Sequence, residues 1–435
     1  MRAGRVPGVS AAAFAQALLL AFSTGGGTAL ADTFQVPGDF DTIQQAIDGV
    51  ADGDTIHVAP GIYAENLTVR GKHVFLESDF VTTGERADID ATVIDGGNGS
   101  FVLEVHADTG SAATLRGFTL RNADDGITPR NPITFRDGRI TGTQDGIDFE
   151  DGSVGVILDS VFDGNGDDGL DLDDRSAVRI AGCVIADNGQ DGIEIRLQDF
   201  AGDPIEVIIE DNWIVDNGED GIQLIDYGGL TPRTFIFERN VFVDNVAAAI
   251  GMMCAENTDE NFEGCPIPEP VLIANNTFVR NSHAVSGGVN VTAVNNLFLD
   301  QAVLGVKNVT GGSFVAYSLF WGNGADAQDS NVDDATTTRE DPRLLETFEL
   351  AENSPAIDAG AASFVHGAFA FELDPSEYSG SAPDLGAVEF VPEPAARLAR
   401  LTALACAALC ARRRARPRGP REAVPPGARP AASSR

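Results

Sequence analysis

Acidic side chains recur at regular intervals in the first half of the sequence, where they could bind a cation or take part in acid–base chemistry. The stretch NGDDGLDLDD (165–174) contains five aspartates, and three related stretches share its pattern: TQDGIDFE (143–150), NGQDGIEI (188–195) and NGEDGIQL (217–224). Carboxylates are the hard oxygen ligands that Ca²⁺ prefers, and pairs of them can also exchange protons with a substrate. Which chemistry is possible depends on whether the fold brings these stretches together.

An EF-hand loop does not explain these residues. Counted from Asp163, the glycine falls at position seven where the loop requires it at position six. Position twelve is Asp174 where the loop has glutamate. The stretch is therefore better interpreted through its repetition.

The acidic stretches belong to an internal repeat. Asp-Gly pairs begin at positions separated by 20, 23, 23 and 29 residues: Asp125, Asp145, Asp168, Asp191 and Asp220. After each of the last four pairs, apolar residues alternate with polar ones, as Leu170 and Leu172 do, which is the pattern of a half-buried strand. A second strand per repeat is visible in segments such as AVRIAGCVI (177–185), and no segment of helical length intervenes. This period predicts a solenoid of short strands, in which each repeat packs on its neighbours.

Asparagine and glycine occupy fixed places in the repeat. Four asparagines each follow an apolar residue by three positions: Asn165, Asn188, Asn217 and Asn245. Stacked coils place equivalent residues about 4.8 Å apart, so these amides are expected to hydrogen-bond to one another as a ladder. The glycine after each repeated aspartate is expected to occupy a turn position with a positive φ.

If the Asp-Gly turns are in register, the side chains that alternate with the core residues line up on one sheet. Five carboxylates then lie on adjacent rungs and form what we call the acidic column: Asp148, Glu150, Asp171, Asp173 and Glu194. Arg196 and Gln223 follow on the same face. Carboxylates at this spacing could supply several ligands to Ca²⁺, the one cofactor that the sequence indicates. The alternative is that they are solvated outer positions, with Arg196 pairing with Asp173 across coils.

A helix-like segment precedes the coils. Asp41 and Gln44 form a capping-box pattern, and one helical face is apolar: Ile43, Ala46, Ile47 and Val50. An amphipathic helix at this place is expected to cover the open end of the solenoid.

The opening VPGDFDTIQQAIDGVADGDTIHVAPGIYAENLTV, the coils and the closing SPAIDAG…PDLGAVEF (354–388) resemble proteins of the pectin-lyase-like superfamily. The resemblance implies an all-β fold, a right-handed parallel β-helix with a short N-terminal capping helix, over residues 32–390. Residues 32–60 would form the N-terminal cap region and 325–390 the C-terminal one. The superfamily includes lyases, hydrolases, epimerases and adhesins, so that the fold alone does not define an activity.

The same resemblance suggests one chemistry for the acidic column. Calcium-dependent β-helix lyases hold the metal with Asp and Glu on one sheet and remove the C5 proton of a uronate with Arg or Lys. Arg196 would then be the catalytic base of a polysaccharide lyase or C5-epimerase. The Gly-His-Gly, Asp-Pro-His-Asp and Trp-x-Asp-His motifs of related enzymes are missing. A non-catalytic cell-surface or matrix protein with structural or adhesive function is therefore the alternative, and no substrate-binding residues can be named from the sequence.

Two excursions interrupt the repeat. RLQDFAGDPIE (196–206) lengthens one coil, and GMMCAENTDENFEGCPIPEP (251–270) follows an apolar stretch. Cys254 and Cys265 within the second are expected to form a disulfide in an oxidising compartment. Cys183 is expected to be a small buried residue. Long loops that leave a regular scaffold often carry recognition, so both excursions are candidates for bordering a binding groove.

Both ends of the chain differ from the repeat region. Residues 1–31 combine early arginines, a short apolar run and a closing Ala-Leu-Ala, which predicts a cleaved secretory signal. Residues 391–435 begin with Val-Pro-Glu-Pro and continue with an apolar stretch and an arginine cluster. This tail resembles the sorting signals that bacterial exosortases remove, except that it continues past the arginines; a disordered basic extension is the alternative.

The charge of the body and the two terminal segments indicate which partners are excluded and where the protein acts. Without the twelve arginines and two glutamates of the two ends, the body keeps 17 basic and 64 acidic residues, a net charge of −47. Such a body repels nucleic acid and attracts cations. We expect an exported monomer, extracellular or on a bacterial cell surface, and the resemblance to the pectin-lyase-like superfamily implies that it binds polysaccharide or a surface glycan. Contact with a membrane would be transient and through the tail.

Overall fold

The computed structural model describes residues 31–258 and 262–391 as a stack of parallel coils. The predicted signal peptide, except its last residue, and the predicted tail, except Val391, lie outside the described residues. Each complete coil contributes one short strand to each of three parallel sheets, which we number 1, 2 and 3 in the order in which the chain visits them. Every strand of a coil pairs with the equivalent strands of the coils before and after it, so the elements form a parallel β-helix.

Sheet 1 has twelve strands. They are β1 (Thr33–Val36), β2 (Thr55–Val58), β5 (His73–Ser78), β7 (Ala112–Arg116), β9 (Ile133–Arg136), β12 (Val154–Leu158), β15 (Ala177–Ala181), β18 (Ile205–Glu210), β21 (Arg233–Glu238), β24 (Val271–Ala274), β27 (Val291–Val294) and β30 (Phe314–Ala316).

Sheets 2 and 3 share two long strands, β6 (Thr92–Val105) and β8 (Thr119–Pro129), which run through both. The other strands of sheet 2 are β3 (Gly61–Ala64), β10 (Arg139–Thr141), β13 (Val161–Asp163), β16 (Val184–Ala186), β19 (Trp213–Val215), β22 (Val241–Val243), β25 (Thr277–Val279), β28 (Leu297–Leu299) and β31 (Leu319–Trp321). Those of sheet 3 are β4 (Leu67–Val69), β11 (Asp145–Phe149), β14 (Leu170–Leu172), β17 (Ile193–Leu197), β20 (Ile222–Asp226), β23 (Ala248–Met253), β26 (His283–Ser286), β29 (Leu304–Lys307) and β32 (Ala325–Gln328).

The core lies inside the coils and is stacked along the axis. Inward side chains of all three sheets form one continuous buried cluster. Four phenylalanines of sheet 2 show the stacking most directly, since the ring centroids of Phe242, Phe278, Phe298 and Phe320 are successively 5.0, 5.2 and 4.5 Å apart. Side chains far apart in sequence are thus vertical neighbours, which is the condition for any site built across coils.

The asparagine ladder is confirmed at the turn between sheets 2 and 3. The amide nitrogens of Asn165, Asn188 and Asn217 each donate to the amide oxygen of the next coil, at 3.0, 3.0 and 2.9 Å. Asn245 continues the ladder to Asn281. A second ladder, which the sequence reasoning missed, lies between sheets 1 and 2 and consists of Asn212, Asn240, Asn276 and Asn296. Buried amides satisfied in this way hold the coils in register.

The prediction that the glycine of each Asp-Gly pair has a positive φ is wrong. Their φ angles are not positive; the left-handed positions precede the ladder asparagines, as at Gly164 (φ 70°) and Asp187 (φ 64°). Glycine is needed after the aspartate because neighbouring coils approach closely there. A Cβ on Gly192 would lie 2.5 Å from the carbonyl oxygen of Gly221 and 2.9 Å from Nδ2 of Asn217.

The N-terminal helix α1 (Ile43–Gly49) covers the first coils with its apolar face, as expected. The capping box, however, is not formed by Asp41 and Gln44. Thr42 is the N-cap residue and accepts from the backbone N–H of Gln45, while the carboxylate of Glu65 accepts from those of Ile43 and Gln44. Two short helices, α2 (Phe80–Thr83) and α3 (Arg86–Ala91), follow before β6.

The C-terminal region does more than close the last coil. Val332 packs against the end of the main core, but residues 344–390, which we call the C-terminal segment, run back along the outside of sheet 2. Phe348, Leu350 and Leu385 form a second buried cluster with residues of β16 to β31. An antiparallel hairpin within the segment, β33 (Ser363–His366) and β34 (Phe369–Glu372), packs on sheet 1. Among the described residues, no helix has the length and apolar character needed to cross a bilayer.

Candidate functional site

The acidic column lies on sheet 3 in the register that the repeat predicts. Asp148 pairs with Asp171, Asp171 with Glu194, and Glu194 with Gln223 on successive strands β11, β14, β17 and β20. Because the adjacent leucines and isoleucines point into the core, these polar side chains point out of the coil.

The expectation that these positions are solvated is wrong for the middle of the column. Asp171 and Glu194 are 5% and 4% exposed, and Gln223 is fully buried. Gln198, from the connection between sheets 3 and 1, lies beside the column and donates to Asp173 Oδ1 at 3.0 Å. The column is therefore the floor of a covered face, and its charges are only partly accessible to water.

The carboxylates form two groups that share Asp171. In the outer group, Asp148, Asp171 and Asp173 each offer an oxygen within 4.8 Å of the others. In the inner group, Asp168, Asp171 and Glu194 do the same, and all three are buried. The sequence analysis assigned Asp168 only to a turn. Its position at the end of that turn, three residues before Asp171, is the signal that could have identified it as a member of the acidic cluster.

Arg196 lies at the junction of both groups. Its Nη1 is 2.7 Å from Asp171 Oδ2 and 3.1 Å from Asp173 Oδ1, and its Nη2 forms an ion pair with Glu194. Burial opposes the charged guanidinium, but the attraction of Asp171, Glu194 and Asp173 outweighs it and raises the pKa of Arg196. The pairing with Asp173 across coils is the one foreseen as the alternative. The role of Arg196 as a base stays a prediction, and it would require these contacts to be broken.

Several oxygens of the column are buried without a partner. Oδ1 of Asp148 and Oδ1 of Asp171 are inaccessible to water and accept no hydrogen bond from any described residue. Burial, and then repulsion from Asp173, raises the pKa of Asp148 to about 6, although Arg196 and Arg130 oppose the shift. Burial also raises the pKa of Asp171. Unpaired buried carboxylate oxygens are costly, and they are the donor set that a hard divalent cation such as Ca²⁺ would satisfy.

Glu150 lies outside both groups. Its carboxylate forms an ion pair with Arg130, which also contacts Asp151 and Glu104. The structure therefore brings together four of the five carboxylates expected in the metal set and adds Asp168.

The Asp-Gly aspartates form a hydrogen-bonded series beside the column. Oδ1 of Asp145 accepts from the backbone N–H of Asp168 at 3.0 Å, Asp168 from Asp191 at 2.7 Å, and Asp191 from Asp220 at 2.6 Å. Burial raises the pKa of Asp145 to about 7. Burial, and then repulsion from Asp220, also raises the pKa of Asp191 above its ordinary value. Asp145, Asp168 and Asp191 thus each link their coil to the next, which is a structural reason for the recurrence of aspartate.

The two excursions lie on the same edge of sheet 3, since both connect that sheet to sheet 1. Cys254 and Cys265 form a disulfide with an S–S distance of 2.08 Å, and the free Cys183 is buried. The disulfide-linked excursion lies over the downstream part of sheet 3: the ring of Phe262 stacks on His283 at 4.7 Å, and Lys307 Nζ donates to the carbonyl of Phe262. The excursions and the acidic column therefore border one face of the molecule.

Comparisons with known proteins agree with this architecture. A family model described as "Right handed beta helix region" matches residues 82–234. The crystal structure of pectate lyase Pel9A superposes with a TM-score of 0.56 at 17% identity, covering 84% of this chain and 98% of that one. A probable pectinesterase/pectinesterase inhibitor 17 of Arabidopsis thaliana is 32% identical over 103 residues, 23% of this chain. The matched part spans only a fifth of that relative's length. The fold is thus a right-handed parallel β-helix of the pectin-lyase-like kind.

Proposed function

We propose that this right-handed parallel β-helix binds Ca²⁺ at the acidic column and, through the bound ion, an anionic polysaccharide of the polyuronate class. The observation that carries the proposal is the outer group, in which two buried carboxylate oxygens of Asp148 and Asp171 have no partner. Ca²⁺ takes six to eight oxygen ligands, more than this group supplies. Carboxylate and hydroxyl oxygens of a uronate, with water, are suited to the remaining positions.

The surrounding charges favour the same ligand chemistry. A body with a net charge of −47 repels a free polyuronate, so a bound cation is needed between protein and ligand. The likeness in fold to a pectate lyase and the local likeness to a probable pectinesterase support a uronate-containing ligand. The N-terminal and C-terminal sequence signals support export to the cell surface or beyond.

Two functions are compatible with a bound polysaccharide: catalysis, as in a lyase or C5-epimerase, and adhesion without catalysis. In a lyase or C5-epimerase, the calcium ion would lower the energy of negative charge that develops on the uronate when its C5 proton is removed. Arg196 is the candidate base that removes this proton. Its guanidinium forms ion pairs with Asp171, which the outer and inner groups share, and with Glu194 of the inner group. Its three ion pairs favour instead a guanidinium that stays protonated and binds the substrate carboxylate, as a non-catalytic adhesive or matrix protein requires.

The test is binding of polygalacturonate and alginate to the full chain by calorimetry, with Ca²⁺ and with a chelator. We expect binding only with Ca²⁺, and at least a tenfold loss of calcium affinity in the double variant Asp171→Asn/Asp173→Asn. Asp151→Asn is the matched control, since Asp151 is exposed on the same edge and contacts only Arg130 among the described ion pairs. Calcium-independent binding, or unchanged calcium affinity in the double variant, would refute the proposal.

Catalysis is tested separately by ultraviolet absorbance of unsaturated uronides on the same two polymers. A lyase predicts calcium-dependent absorbance that Arg196→Ala abolishes. Turnover that survives Arg196→Ala would exclude Arg196 as the base, and binding without turnover or epimerisation would favour the adhesive function.

A further inference from the structure

The inner group differs from the outer one in its burial. Asp168, Asp171 and Glu194 are 4%, 5% and 4% exposed, whereas Asp148 and Asp173 of the outer group are half-buried. Three carboxylates within 4.8 Å of one another in a region of low dielectric repel strongly, since the Coulomb energy of like charges rises as water is excluded. An arrangement of this kind requires positive charge close by.

Arg196 supplies only part of that charge. Its ion pairs reach Asp171, Asp173 and Glu194. The two groups together hold five carboxylates: Asp148, Asp168, Asp171, Asp173 and Glu194. One guanidinium and one divalent cation leave two negative charges without compensation, and a second divalent cation compensates both.

Gln223 provides an independent indication of a ligand in the inner group. Its side chain is fully buried, points to the same face as Glu194 and occupies the next rung, about 4.8 Å away. Neither Nε2 nor Oε1 of its amide has a hydrogen-bond partner among the described residues. On its other side the register partner is Gly251, which has no side chain to offer. Burying an amide without partners is costly, so a missing ligand at its oxygen is the simplest physical account.

We propose that Asp168, Asp171, Glu194 and Gln223 bind a second, buried divalent cation, and that Asp171 bridges it to the ion of the outer group. The proposal rests on the calcium-dependent function proposed above and adds a distinct ion to it. Asp171 can serve both positions because its two oxygens are separate ligands: Oδ1 is buried and unpaired, and Oδ2 contacts Arg196. The amide oxygen of Gln223 is a hard donor of the kind that Ca²⁺ accepts.

The experiment is a count of bound Ca²⁺ by equilibrium dialysis on the full chain, first stripped with a chelator. We expect two equivalents in the wild type and one in each of Asp168→Asn and Gln223→Leu. Asn at position 168 keeps an oxygen that can accept from the backbone of Asp191, which separates loss of the ion from loss of that hydrogen bond. Asp148→Asn should lose the other equivalent, and Glu150→Gln, whose carboxylate pairs with Arg130, should retain two.

A second variant is expected to strengthen calcium binding, which misfolding would not do. Gln223→Glu adds a carboxylate to the inner group, so we expect the Ca²⁺ equivalent that Asp168→Asn removes to gain at least tenfold in affinity, and the melting temperature to depend more strongly on Ca²⁺. A wild type that binds one equivalent, or a folded Gln223→Leu that binds two, would overturn the second site and leave the proposed function intact. A wild type that binds no Ca²⁺ would refute both.

Discussion

Arg196 forms ion pairs with carboxylates of two adjacent coils, and this defines its electrostatic role. A guanidinium that forms ion pairs with Asp171, Asp173 and Glu194 compensates charge in the metal-free protein, and it also competes with a cation for the same oxygens.

Arg196→Met keeps much of the side-chain volume and removes the competing charge. We expect calcium affinity to rise at least tenfold and the melting temperature without calcium to fall, because the carboxylates then repel one another without compensation. Calorimetry and thermal melting measure the two effects. Arg139→Met is the control, since Arg139 pairs with Asp163 on sheet 2, outside both groups; equal changes in both variants would show that only the general charge matters.

Glu238 allows a pH prediction away from the acidic column. It lies next to Glu210 on the neighbouring rung of sheet 1 and close to Arg239 and Asp211. Burial, opposed by Arg239 and reinforced by Glu210, raises its pKa to about 7 from 4.5. The folded state therefore binds more protons than the unfolded state between these values, and its stability falls as the pH rises through about 7.

Glu238→Gln should remove this part of the pH dependence. A fifth of the side chain is exposed, so we expect a gain of only about 1 kcal/mol at pH 8 and no gain at pH 5. Melting curves at the two pH values measure it. A loss of stability of the same size at both would mean that the ion pair with Arg239 dominates.

At the scale of the elements, the spacing between coils decides which residues the turns accept. Gly192→Ala places a Cβ against the carbonyl oxygen of Gly221, in a contact that the backbone of two coils must relieve. We expect a loss of about 3 kcal/mol in the free energy of unfolding, measured with urea. Gly164→Asp is the matched control, because Asp187 and Asp216 adopt the same left-handed position in the next coils and a Cβ there meets only Thr141, at 3.7 Å. Equal losses in both would contradict the close-approach explanation.

The strands and their register could be predicted because period-two alternation and a repeat of about 23 residues are properties of the sequence alone. The hydrogen bonds of Asn188 and Asn217 followed from the same periodicity. The burial of Glu194 and Gln223 could not be predicted from the sequence, because it depends on which connections lie against sheet 3. The N-cap of α1 was misplaced by one residue because Glu65, from the connection between β3 and β4, satisfies the backbone N–H groups that a capping box would satisfy.

At the scale of the whole molecule, charge and stacking oppose each other. Parallel coils place residues one strand spacing apart, and a body of net charge −47 concentrates like charges along the axis. Raising NaCl from about 10 mM to about 300 mM shortens the screening length from about 30 Å to about 6 Å, so we expect the melting temperature to rise. Millimolar Ca²⁺ should raise it further than Mg²⁺ at equal ionic strength, because Mg²⁺ gives up its water less readily. A melting temperature that falls with NaCl would show that ion pairs such as Arg139–Asp163 outweigh the repulsion.

The C-terminal segment sets a limit on how this molecule can evolve. A solenoid can in general gain or lose whole repeats, because each interface between repeats resembles the next. Here Phe348, Leu350 and Leu385 pack against outward side chains contributed by six successive coils, from β16 to β31. Deleting one of those coils would shift every later contact by one rung and leave part of the segment opposite the wrong partners. Duplication or loss of repeats is therefore expected to be tolerated in the coils upstream of β11, which carry neither the acidic column nor contacts to this cluster, and selected against downstream.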